Sequence, residues 1–177
     1  MDRGPWTSTL LLMLRERTHT WDDPAHLHTI MRTLPGLECL QRVIAGELPP
    51  PPMARLLDLR LIEVASGRAV FTVTPAEFHY NPLGVAHGGL AATLLDSAMG
   101  CAVHTTLEAG DLYTTIELKI NFLRPLTVGT GEVRGVGTVL SGSRTTALAE
   151  GRLEGLDGKL YAFATSTCLI KRATSNA

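Results

Sequence analysis

The sequence predicts an α+β fold in which most of the chain is an antiparallel sheet built around one buried helix. Three observations carry this. The apolar period changes from helical to two near Leu57. A proline-free stretch rich in small apolar residues runs from His87 to about Thr105. Four further strand-like runs then follow without another helix, and Asp157-Gly158, a strong hairpin dipeptide, separates the last two. Two strands, one long helix and four consecutive strands belong to the α+β class.

The elements are justified in chain order. Residues 1–20 carry no firm structure signal. Asp23-Pro24 reads as a helix opening, with Asp as N-cap and Pro at the first helical position. Leu27, Ile30, Met31 and Leu34 follow at helical spacing. Leu37 to Ala45 reads as a second short helix stopped by Gly46. Pro49 to Pro52 then form a stiff extended connector. Leu57, Leu59 and Leu61 alternate with Asp58 and Arg60 as a strand would, and Ala69 to Thr74 is its hairpin partner across Ser66-Gly67. The later strands are expected at Thr114–Phe122, Gly131–Leu140, Thr145–Leu153 and Leu160–Ile170. The organisation expected is an N-terminal helical extension and Pro-rich connector over 1–55, a main domain over 56–171 and a tail over 172–177.

Composition excludes several classes. Lys plus Arg total 16 against 17 Asp plus Glu, a net charge of −1, so clustered positive charge for nucleic acid is lacking. Aromatics at 5% are too few for a base-stacking surface. Cys39, Cys101 and Cys168 are far apart with no CxxC, which argues against a disulfide scaffold or a zinc knuckle and fits a reducing interior. His26 and His28 do not share a helix face, and no metal site is expected. The apolar run Leu10–Leu14 falls far short of the ~20 residues that a membrane-spanning helix needs, and lacks the flanks of a secretory signal. The expectation is a cytoplasmic protein without a membrane partner.

The chemistry concentrates in Asn81-Pro82-Leu83-Gly84-Val85-Ala86-His87-Gly88-Gly89, just before the buried helix. A helix start presents unpaired N–H groups and a positive dipole end, which suit a developing oxyanion. Asn81 could add a side-chain amide donor. The bland alternative is a glycine turn that caps a helix. Asp96 weighs against it, because it lies in a helix flanked by Leu94, Leu95, Ala98 and Met99. A carboxylate there is costly without partners or a task. Ser97 and Thr93 are the candidate partners in the bland reading.

Helix geometry sharpens this. Gly89, Thr93, Asp96 and Gly100 share one face. Asp96 is eight residues past Gly88, about 12 Å along the axis. One carbonyl cannot reach both in a single chain, so a shared substrate requires the carboxylate of a second copy, and a two-fold axis would create two composite sites.

The run His79-Tyr80-Asn81-Pro82-Leu83-Gly84 to His87-Gly88-Gly89, then Leu95-Asp96 and Gly100, resembles the hotdog-fold acyl-CoA thioesterases of the phenylacetic-acid-degradation (PaaI-like) type. Thr115 to Pro125, Gly142 with Arg144, and Asp157-Gly158 fit the later pattern of that family, and the resemblance covers about residues 36–170. It implies a hotdog fold, a curved antiparallel sheet wrapped around one long central helix, in a homodimer with shared active sites that is often a tetramer. It implies hydrolysis of an acyl-CoA to a carboxylic acid and coenzyme A, with no cofactor beyond the CoA of the substrate. Gly88 N–H and Asn81 polarise the carbonyl. Asp96 of the other subunit is the general base or the nucleophile. Thr115 orients the water, although its alternation with Glu117 and Lys119 does not mark its face as inward. His87 orients the loop. Gly89, Ser141 and Gly142 are expected beside the substrate, with Arg144 and Arg124 near the CoA phosphates. Leu83, Val85, Leu90 and Met99 suggest an apolar acyl site. The competing readings are a hotdog enoyl-CoA hydratase and a non-catalytic acyl-CoA-binding protein. The hydratase lacks its Asp before His87, since position 82 is Pro.

Overall fold

The computed structural model describes residues 14–173; most of the early apolar run and residues 174–177 of the expected tail lie outside the described residues. Helix α1 spans Pro24–Met31, with Asp23 Oδ1 accepting the Ala25 N–H at 2.9 Å. Helix α2 spans Gly36–Ile44, and Gly46 follows it at φ 76°, a left-handed turn suited to glycine. Leu27, Cys39 and Leu48 form a small apolar cluster between them.

Two local expectations are corrected. The proline run is not extended throughout, because Pro52 opens helix α3, Pro52–Leu56. A proline at the first helical position loses no hydrogen bond, so the last proline starts a helix instead of preventing one. The first strand also begins later than Leu57. Asp58 adopts φ 55°, and the Leu59 N–H donates to Ala54 O at 2.8 Å, so Leu57 and Leu59 belong to a turn and only Leu61 to the strand. Strand β1 is Arg60–Ala65 and β2 is Arg68–Val73.

The remaining elements follow the expected order. They are helix α4 (Gly88–His104) and strands β3 (Leu112–Phe122), β4 (Val133–Gly142), β5 (Thr146–Gly155) and β6 (Leu160–Lys171). All neighbours pair antiparallel in the order β1-β2-β4-β5-β6-β3, so β3 crosses to the far edge beside β6. This is the hotdog arrangement, a curved six-stranded sheet holding one 17-residue helix, preceded by short helices.

Glycines let the helix lie close to the sheet. A Cβ at Gly137 would stand 2.3 Å from the Ala98 carbonyl, and one at Gly135 would stand 1.8 Å from Leu94 Cδ2. Leu94, Leu95, Ala98 and Met99 are fully buried there. Truncating one such leucine to alanine costs about 2–5 kcal/mol. The N-terminal helices dock on the other end of α4. A Cβ at Gly36 would collide with the His104 carbonyl oxygen at 1.8 Å, and the Gly36 N–H donates to Leu107 O at 2.9 Å.

Candidate active site

The loop before α4 is tied by its own backbone. The Asn81 N–H donates to Val85 O at 2.8 Å, and Ala86 bridges back to Tyr80. His79 holds the loop from below. Its Nδ1 accepts the Ala76 N–H at 3.0 Å and its Nε2 bonds Leu57 O at 3.1 Å, while burial lowers its pKa and keeps the ring neutral. Asn81 Oδ1 accepts the Leu83 N–H at 2.9 Å. That leaves its amide Nδ2 with two protons to donate.

His87 is the N-cap of α4, its Nδ1 accepting the Gly89 N–H at 2.9 Å. Gly89 fits this cap because a Cβ there would lie 2.8 Å from His87 Nδ1. Gly88, the first helical residue, has no intrahelical acceptor for its N–H. It faces a cleft of about 370 Å³ lined also by Val85, His87, Ala91, Phe122 and Arg124. Phe122 has no counterpart in the sequence reading. A Cβ on Gly88 would stand 3.1 Å from its ring, so the glycine lets the aromatic side chain close over the helix start.

Asp96 is half-buried near the middle of α4. Its partner is neither Ser97 nor Thr93. The Thr115 hydroxyl donates to Asp96 Oδ1 at 2.9 Å. A bulge in β3 explains why strict alternation does not mark Thr115 as inward. Pairing with β6 slips between Thr115 and Glu117, which leaves Ile116 exposed and reverses the inward phase. Tyr113 and Thr115 therefore point to the helix, as do Leu118 and Ile120 after the bulge, while Glu117 and Lys119 point out.

Asp96 and Thr115 line a second, larger cavity of about 740 Å³, with Gly100, Cys101, His104 and Tyr113 and with Met31 and Met53 from the N-terminal helices. Burial pushes the Cys101 thiol up to about 12, a rise that a hydrogen bond with Tyr113 only partly offsets. Burial likewise raises the Tyr113 hydroxyl well above its ordinary value. A protonated thiol is a poor nucleophile.

Arg124 joins the Gly88 cleft, its guanidinium donating to Leu160 O. Ser141, Gly142 and Arg144 line neither cavity. They lie where β4 turns to β5, towards the C-terminal end of α4, since Gly135 meets Leu94 and Gly137 meets Ala98 along the same strand. Of the expected acyl-site residues only Val85 lines a cleft. Leu90 and Met99 are core, and Leu83 is 84% exposed. Within one protomer His87, Gly88 and Arg124 line the first cavity and Asp96 and Thr115 the second, with Gly88 and Asp96 about 12 Å apart along α4, while Asn81 and Gly89 line neither.

The fold and these motifs define a class. A family model described as Thioesterase superfamily matches residues 83–162, from the loop before α4 into β6. A Saccharolobus solfataricus protein carrying an esterase name is 36% identical over 118 residues, which cover 67% of this chain and 82% of that protein. The chain belongs to the thioesterase superfamily, and thioester hydrolysis is the chemistry this membership supports. Among particular relatives, mouse acyl-coenzyme A thioesterase 13 is 30% identical over 111 residues, covering 62% of this chain and 78% of that protein. A solved phenylacetic acid degradation-related protein from Ralstonia eutropha JMP134 is 32% identical, with a TM-score of 0.67 over 73% of this chain and 98% of its own. The Escherichia coli PaaI protein, at 20% identity and a TM-score of 0.68 over 78% of this chain and 96% of its own, shares the fold. Among the described residues no helix is long and apolar enough to cross a membrane.

Proposed function

We propose that the protein hydrolyses an acyl-CoA thioester to a free carboxylic acid and coenzyme A, at sites shared by two copies of the chain. The observation that carries this reading is the Asp96 carboxylate, presented to a cavity with one oxygen held by the Thr115 hydroxyl. Its other oxygen then faces the cavity, where it can take a proton from water. The water oxygen attacks the carbonyl carbon, and negative charge develops on the carbonyl oxygen. The Gly88 N–H and the Asn81 amide are the donors suited to that charge. Collapse breaks the carbon–sulfur bond, and the CoA thiolate leaves and takes up a proton. Direct attack by the carboxylate, through an anhydride that water then opens, uses the same residues.

The distribution between two cavities supports the shared site. Gly88 and Arg124 line the cleft at one end of α4, with Asn81 in the loop that leads into it, and the carboxylate lies about 12 Å along the helix from Gly88. A two-fold pairing of helices brings the donors of one copy to the carboxylate of the other, and Arg124 beside the donor cleft suits the phosphates of CoA. Cytoplasmic location and the dimer, or a tetramer of two dimers, complete the reading. Release of free thiol from a panel of acyl-CoAs tests it. Turnover of at least one member is expected, whereas binding without thiol release, or hydration of an enoyl-CoA in its place, would overturn it.

A further inference from the structure

The cavity that holds Asp96 is mixed in character, since His28, Ser97, Asp111 and Thr114 line it beside Met31 and Met53. A further cavity of about 320 Å³ lies against it and differs from it. This one sits under the N-terminal helices, walled by Leu27 of α1, Leu40 and Val43 of α2, and Leu59 and Leu61 around the start of β1. Among its described lining residues only Arg60 is charged, and that guanidinium is engaged at the surface, donating to Glu132 at 2.9 Å. Its two thiols, Cys39 and Cys101, are kept protonated by burial. The space therefore suits hydrocarbon.

The two cavities share six lining residues, Met31, Pro51, Ala54, Phe71, Cys101 and Tyr113. Cys101 and Tyr113 show what kind of boundary this is. Protein encloses both deeply enough for desolvation to dominate their titration. Yet each keeps accessible surface, as does Met31. Accessible surface on an enclosed side chain faces an internal space, so the boundary consists of groups that border open volume and not of packed core. Cys101 is five residues beyond Asp96, about 7.5 Å along α4. A short acyl group held at Asp96 ends before it, whereas a long straight one is of a length to pass it.

We propose that the apolar cavity under the N-terminal helices receives the hydrocarbon end of a long straight-chain acyl group, with Leu40 and Val43 of α2 setting the chain length that is accepted. The proposal rests on Asp96 acting on the thioester and adds the substrate class to that reading. The thioester and the attacking water belong to the mixed cavity, where polar groups surround the carboxylate. The tail lies past Cys101 against leucine and valine side chains. Each methylene moved from water into such surroundings strengthens binding about fourfold. The N-terminal helices are then part of the substrate site and not only a cover on the sheet.

The test compares kcat/KM for butyryl-CoA, decanoyl-CoA and tetradecanoyl-CoA. The wild type is expected to favour decanoyl-CoA over butyryl-CoA by about 10-fold or more. Val43→Phe fills the apolar cavity from a position that does not line the Asp96 cavity, and should lower that ratio about 10-fold. If the phenylalanine variant does not fold, Val43→Ala decides instead. It enlarges the cavity and should raise tetradecanoyl-CoA relative to decanoyl-CoA several-fold. A wild-type ratio of one or less, or a wild-type chain-length profile in the folded variant, overturns the proposal and leaves the thioesterase reading intact. If no thioester is cleaved, that reading fails, and calorimetric binding of butyrate and decanoate decides the proposal separately. Tighter binding of decanoate that the folded Val43 variant alters supports it, and equal binding of the two acids, or decanoate binding that the variant leaves unchanged, overturns it.

Discussion

The two ends of α4 present different kinds of chemical group. At its start the functional atoms belong to backbone and cap: the Gly88 N–H, the His87 ring on Gly89, and a loop closed by Asn81. Further along they belong to side chains, the Asp96 carboxylate held by the Thr115 hydroxyl. The first region can stabilise charge on an oxygen, and the second can supply a base and enclose an acyl chain. On the proposed reading neither is a complete site, and a helix packed on glycines keeps the two apart. The lesson is that one stiff element can carry both halves of a reaction only if two copies of it meet.

The comparison is broken most severely at the carboxylate. Asp96→Asn keeps the shape and can still accept from Thr115 but takes no proton. Its kcat should fall ~10²–10⁴-fold with a near-wild-type melting temperature. Steady-state assays on folded protein check this, and near-normal turnover would remove Asp96 from the mechanism. Thr115→Ala comes next. Losing the hydroxyl that orients Asp96 should lower kcat by about 10-fold, and Thr115→Ser should recover most of it. A serine variant no better than alanine would mean that packing, and not the hydroxyl, is what matters.

Acid sharpens the comparison through stability. His79 lies under the loop and His104 at the far end of the cavity, and burial depresses both pKa values below 6.5. The unfolded chain binds these protons more readily than the native protein does. The stability that the neutral rings confer is therefore fully present above 6.5 and is lost as pH falls from there through the depressed native values. The melting temperature should drop by several degrees between about pH 8 and about pH 5.5, and His104→Gln should flatten part of that slope. A melting temperature that does not change over this range would contradict the neutral assignment of both rings.

Much of this was legible in the sequence, for physical reasons that differ by element. The start of α4 declared itself because a cap and two glycines precede an apolar stretch, and the last four strands because turn dipeptides bound them. Asp96 stood out because a carboxylate among leucines needs a reason. The helix at Pro52 was missed because a proline run suits an extended chain as well as a first helical turn. Thr115 was ambiguous because a bulge shifts the phase of β3, which only pairing with β6 reveals. Leu90 and Met99 were placed in the acyl site by hydrophobicity alone, and the sheet buries them in the core instead. Phe122 over Gly88 and the unpartnered ring of His104 depend on contacts far apart in the chain, and no local pattern encodes them.

Subunit complementation tests the shared site most directly. Asn81→Ala chains lack a donor and Asp96→Asn chains lack the base, so each alone should be nearly inactive. After mixing under conditions of verified exchange, a heterodimer places both lesions in one composite site and leaves the other intact. Random exchange of equal amounts should then restore about a quarter of wild-type activity. Activity that stays at the level of the separate variants, despite demonstrated heterodimers, would contradict a site built from two copies of α4.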